Sequence, residues 1–118
     1  MSLMIFISSD SFFLSGYLAD KILANNVTEK ELNRALFLSI PEAYQYKLNT
    51  YAVGTNDWLY YARKLALSDS YTAISIADNY LSKSDYKQAV LWYQRAIKLN
   101  NKIASLKLAS LYLLLMDS

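Results

Sequence analysis

With 118 residues, 54% apolar and 19% charged side chains and a net charge of +2, the chain matches one ordinary domain, large enough to bury a core without staples. It has no histidine and no cysteine, which excludes imidazole-based triads, disulfides and the usual zinc sites. Its only glycines, Gly16 and Gly54, are isolated and form no phosphate-cradling loop.

Residues 5–19, IFISSDSFFLSGYLA, are apolar enough for a signal peptide. No lysine or arginine precedes them, however, and Asp10 interrupts the run, so they read as part of a helix. The cytoplasm is the expected compartment, although the lack of cysteine is equally compatible with the periplasm. No stretch reaches the ~20 uninterrupted apolar residues of a membrane span. The first helix is predicted from Ser11 to Ala24, with Phe12, Leu14, Leu18 and Ile22 on its buried side. Thr28 and Glu31 then form a capping box that opens the second helix, which carries Leu32, Ala35, Leu36 and Leu38. Asn26-Val27-Thr28 is also a glycosylation sequon, but the cap accounts for it. Pro41 ends this helix and sits in the first turn of the third, Glu42 to Tyr51, which Gly54 closes.

The fourth helix is expected to start at Asn56 or Asp57 and to run through Trp58, Tyr61, Ala62 and Leu65 to Leu67. The fifth spans Ser70 to Leu81 and the sixth Asp85 to Leu99, with Ser82-Lys83-Ser84 as the turn and Ser84 or Asp85 as the cap. Ala77 and Tyr80 share one face of the fifth helix; Ala89, Tyr93 and Ala96 share one face of the sixth. Alanines at such positions let two helices approach to roughly 8–10 Å. The last helix, Lys102 to Met116, has Ile103, Leu106, Leu108, Leu111, Leu113, Leu114 and Leu115 on nearly every side, the pattern of a buried helix. Something must cover it. A longer array or a second copy would do so, the latter through Leu111, Leu114 and Leu115.

Ala77-x-x-Tyr80 followed by Ala89-x-x-x-Tyr93-x-x-Ala96 resembles the tetratricopeptide repeat. The next small residue, Ala109, comes 13 after Ala96, two fewer than that repeat gives, and this shorter step is similar to the Sel-one-like repeat. Leu91-Trp92-Tyr93-Gln94-Arg95-Ala96 also resembles the Trp-Tyr-x-x-Ala segment of that family. Sliding the chain by 32 sets Tyr60 and Tyr61 under Trp92 and Tyr93, Arg63 under Arg95 and Tyr80 under Tyr112, which gives a degenerate upstream copy. The resemblance implies an all-α fold of antiparallel helix pairs stacked as a right-handed tetratricopeptide-like superhelix, an α-solenoid. It would form one domain over 1–118, with the clear repeat at 70–112 and degenerate pairs at 11–67. It also implies a concave groove that binds a protein or peptide, lined by Ser75 and Asp78 around Ala77, Lys107 and Ser110 around Ala109, and Tyr46 and Asn49 around Leu48. These residues depart from the Lys and Asn set that clamps a peptide carboxylate in chaperone-binding members, so that activity does not carry over.

The expected role is an adaptor or assembly factor in a bacterial-type system, the latter resting on the Sel-one-like resemblance alone. A self-associating homodimer is the alternative. No cofactor is called for, and no enzyme is expected: Glu29 and Glu31 point apart on a helix and serve its start. Between residues 83 and 107, Lys83, Lys87, Arg95, Lys98, Lys102 and Lys107 face Asp85 alone. Lys87, Arg95 and Lys98 lie opposite Ala89, Tyr93 and Ala96, which marks a solvated face rather than a nucleic-acid surface.

Overall fold

The computed structural model describes residues 2–117, with side chains from Phe13 to Asp117. The described residues form seven helices and no strand: α1 Ser2–Leu23, α2 Glu29–Phe37, α3 Pro41–Thr50, α4 Asn56–Leu65, α5 Ser70–Ser82, α6 Tyr86–Lys98 and α7 Lys102–Met116. Among them, no helix is long and apolar enough to cross a membrane. Contacts within the chain divide it into two compact units, Met1–Asn49 and Thr50–Ser118.

In the first unit α1 packs on α2. Leu18, Ile22, Leu32, Ala35, Ile40 and Ala43 form its core, with Leu14, Leu36, Leu38 and Tyr46 packed at the edge. Leu18 and Ile22 are thus buried where the helical spacing placed them, and the side chain of Phe12 lies outside the described residues. α1 begins at Ser2, well before the expected Ser11, because serine and aspartate within a helix cost only about 0.7 kcal/mol each. The capping box forms as expected. Thr28 Oγ1 accepts from the Glu31 amide at 3.1 Å, and Glu31 Oε1 accepts from the Thr28 amide at 3.0 Å. That second bond is the main reason the Glu31 carboxyl is held below its ordinary range, with smaller help from Lys21 and Tyr17.

Four helix ends use the same turn. After α1, α2, α5 and α6 one residue enters the left-handed region: Asn25, Ser39, Ser84 and Asn100, with φ between 53° and 66°. The amide that follows then reaches back to a free carbonyl: Asn26 to Lys21, Ile40 to Ala35, Asp85 to Tyr80 and Asn101 to Ala96. This is the Schellman arrangement, built without the glycine that usually occupies the left-handed position. Asp85 and Asn101 also cap α6 and α7, so stop and start share a residue and the connections stay short. Glycine is required at Gly54, where φ is +88° and an added Cβ would stand 2.4 Å from the Asn79 side chain.

In the second unit α4 packs on α5, α5 on α6 and α6 on α7. Ala77, Ala89 and Ala96 are fully buried, as the alanine spacing predicts, and Tyr93 is buried beside them. α4 ends at Leu65, two residues early, and leaves Leu67 in solvent. Between α4 and α6 the 32-residue register does not describe the packing. It superposes Tyr60, which is 56% exposed, on the buried Trp92. A step of 34 instead pairs buried side chains there: Trp58 with Trp92, Leu59 with Tyr93 and Ala62 with Ala96. Between α5 and α7 the 32-residue step holds, with the caps Asp69 and Asn101 and the buried pairs Thr72 with Ala104 and Ile76 with Leu108 in register.

α7 differs from expectation as well. Ala104, Leu108 and Leu111 are its buried residues, and Ala109 is exposed. Leu111, 15 residues after Ala96, is 3% exposed and takes the place expected for Ala109. Tyr112, set in register with Tyr80 by the 32-residue slide, is 43% exposed, while Tyr80 is half-buried and accepts a hydrogen bond from Arg63 at 2.9 Å. The helix is therefore not buried on every side. Leu106 at 71% and Leu113 at 64% face away from the core.

Candidate functional site

α5 and α7 are joined at two heights. Near their starts, the buried Asn101 amide donates to Ser70 Oγ at 2.9 Å while its oxygen accepts from the Ile103 and Ala104 amides, fixing where α7 begins. Two turns further on, Lys107 Nζ donates to both oxygens of Asp78, at 3.0 and 3.2 Å. The Tyr93 hydroxyl from α6 donates to the same carboxylate. One carboxylate thus gathers three helices. Burial, the hydrogen bond to Asp78 and the Asp78 charge all push the Tyr93 phenol above its ordinary range, because each disfavours a second negative charge there.

Beside this trio lies an open groove of about 340 Å³. Leu81 on α5 and Ile103, Leu106, Leu111 and Leu114 on α7 make its apolar walls; Asp78, Tyr93, Lys107 and Ser110 supply its polar groups. Ile103, Lys107, Ser110 and Leu114 recur at steps of four, three and four, so one side of α7 faces the groove along about 16 Å. Ser105 and Ala109 occupy the far side of the same helix, both exposed. α7 thus carries two apolar stripes, an inner one through Ala104, Leu108 and Leu111 and an outer one on the groove. A depression of about 570 Å³ in the first unit, between α1 and the α2–α3 turn, is lined by Phe13, Tyr17, Leu38 and Pro41 among others.

Of the six residues expected to line a groove, Asp78, Lys107 and Ser110 meet around this one. Ser75 does not line it; exposed on α5, it donates its hydroxyl to the Tyr71 carbonyl at 3.1 Å. Tyr46 and Asn49 belong to the first unit, where Tyr46 packs against the core and Asn49 accepts from Gln45 at 3.1 Å. Of the three residues named for self-association, Leu114 and Leu115 are exposed whereas Leu111 is core, so a charge at Leu111 would report folding rather than association. The sequence reading missed Leu81, Ile103 and Leu106 as lining residues and the meeting of Asp78 with Lys107, which are 29 residues apart. Lys87, Arg95 and Lys98 are solvent-exposed as expected, with Arg95 stacked over the Trp92 ring at 4.3 Å.

Compared with known protein families, curated proteins and solved structures, the chain matches none.

Proposed function

We propose that the second unit is a tetratricopeptide-like interaction module that holds a peptide or helix of another protein in the groove between α5 and α7. It would act as an adaptor or assembly factor and not as an enzyme. The observation that carries this reading is the outer stripe of α7: three large aliphatic side chains, Ile103, Leu106 and Leu114, are exposed along an apolar groove with a few fixed polar groups. Grooves of this composition bind amphipathic segments. The 34-residue step between the buried side chains of α4 and α6 supports the family resemblance, since that is the tetratricopeptide period. The 13-residue step to Ala109, which suggested the Sel-one-like family, ends on an exposed residue and gives that branch less support. A right-handed solenoid is the architecture this reading implies.

The test is site-specific photocrosslinking in the cells the chain comes from. A photoreactive residue at Leu106 or Ser110 is expected to give adducts with another protein, and one at Ser105 or Ala109, across α7, is expected to give none. Equal adducts from both sides, or none from either, would contradict the reading.

A further inference from the structure

Charge is unevenly divided along the chain. Residues 50–118 hold eight lysines and arginines against five aspartates and no glutamate, whereas residues 1–49 hold four basic and five acidic side chains. In the second unit, moreover, Asp78 is engaged with Lys107 and Tyr93, and Asp69 and Asp85 accept from helix amides as caps. With eight basic against five acidic side chains the unit as a whole is positive, which favours an acidic partner over a basic one. A second copy of this unit would bring the same excess against itself, which disfavours a dimer through this face.

The groove also has the shape of a helix seat. The outer stripe of α7 repeats the three- and four-residue spacing of the inner stripe that packs within the unit, and Ser110 is small where an incoming helix would cross. An extended strand would find no sheet edge here to pair with. Lys107 has three ammonium hydrogens, of which Asp78 takes two; its side chain is 41% exposed, and the third hydrogen is available to a carboxylate on the partner.

We infer that the occupant of the groove is an amphipathic helix with an acidic flank, contributed by a different protein. Its apolar stripe rests on Ile103, Leu106, Ser110 and Leu114, and a carboxylate beside the stripe meets Lys107. This inference rests on the groove reading given above and specifies its partner.

The probes are two fluorescent synthetic peptides about five helical turns long. Both carry the same leucine stripe, one flanked by glutamates and the other by lysines, and each is titrated with the full chain by fluorescence anisotropy. The glutamate peptide is expected to bind about tenfold more tightly at low ionic strength, with the preference shrinking as salt screens the charges. Lys107→Met, which keeps the aliphatic stem, is expected to reduce that preference several-fold, and Ser110→Trp to weaken both peptides; circular dichroism would verify that each variant is folded. Equal binding of the two peptides would overturn the acidic-partner inference and leave the groove reading standing. Binding of neither, together with no adduct at Leu106 or Ser110, would overturn both. Displacement of the glutamate peptide by single-stranded RNA, with no effect of Ser110→Trp, would also overturn the inference, in favour of nucleic acid. Adducts at twice the chain mass would overturn it in favour of a second copy.

Discussion

The two units bury one stripe of each short helix with different side chains. In the first, leucine and isoleucine fill the core, with Ala35 and Ala43 as its small members. In the second, fully buried alanines alternate with Trp58, Trp92 and Tyr93, and polar bonds between helices, Arg63 to Tyr80, Asn101 to Ser70 and Lys107 to Asp78, fix the heights of neighbours. An aliphatic stripe fits its neighbour at several heights, whereas a large ring opposite an alanine fits at one. The second unit therefore has a defined register, and that register puts Lys107 beside Asp78 and turns Leu106 outward.

Breaking that register should have the largest effect. Leu111→Ala is expected to cost about 2–5 kcal/mol in a denaturant midpoint, as for a fully buried leucine. Ala109→Leu should stay within about 0.5 kcal/mol, as for an exposed site. The opposite ranking would restore the 13-residue step. Tyr93→Phe sharpens the contrast, because it removes the hydroxyl that ties α6 to Asp78, and is expected to cost about 1–2 kcal/mol. Since the folded state raises the Tyr93 pKa, its contribution is fully present below about pH 10 and is lost as pH rises through the raised value. In an ultraviolet titration of the eleven tyrosines, the last phenol to ionise should be absent from Tyr93→Phe.

In the first unit the capping box holds the start of α2. Thr28→Ala should cost about 1 kcal/mol at neutral pH. Because the fold lowers the Glu31 pKa, the Glu31 contribution is present at neutral pH and lost as pH falls through that lowered value, below the ordinary glutamate pKa of about 4.3. Acid titration of stability should accordingly be flatter in Glu31→Gln than in the parent chain. The smallest effect is expected at the shared turn. Ser84→Gly relieves a left-handed serine but frees the unfolded chain, for a net gain of about 0.5 kcal/mol in melting experiments.

Helix positions were legible because Thr28, Glu31, Asp85 and the alanine spacings act locally, within one turn of the backbone they control. The four Schellman turns were harder to read, since no glycine marks Asn25, Ser39, Ser84 or Asn100. At Ala109 the difficulty was of another kind. Residue size suggested a helix crossing there, yet the angular position of Ala104, Leu108 and Leu111 decides which side of α7 faces α6, and that depends on where Asn101 docks on Ser70. The carboxylate that gathers α5, α6 and α7 was out of reach for a related reason, because Asp78, Tyr93 and Lys107 meet only after three helices have packed.

The most direct test of the account is methyl NMR of the isoleucine- and leucine-labelled chain titrated with the glutamate-flanked peptide. The predicted result is that Ile103, Leu106 and Leu114 shift with added peptide, while Leu18, Ile22 and Leu32 of the first unit remain still. Shifts centred on the first unit, or a spectrum unchanged at saturating peptide, would contradict it.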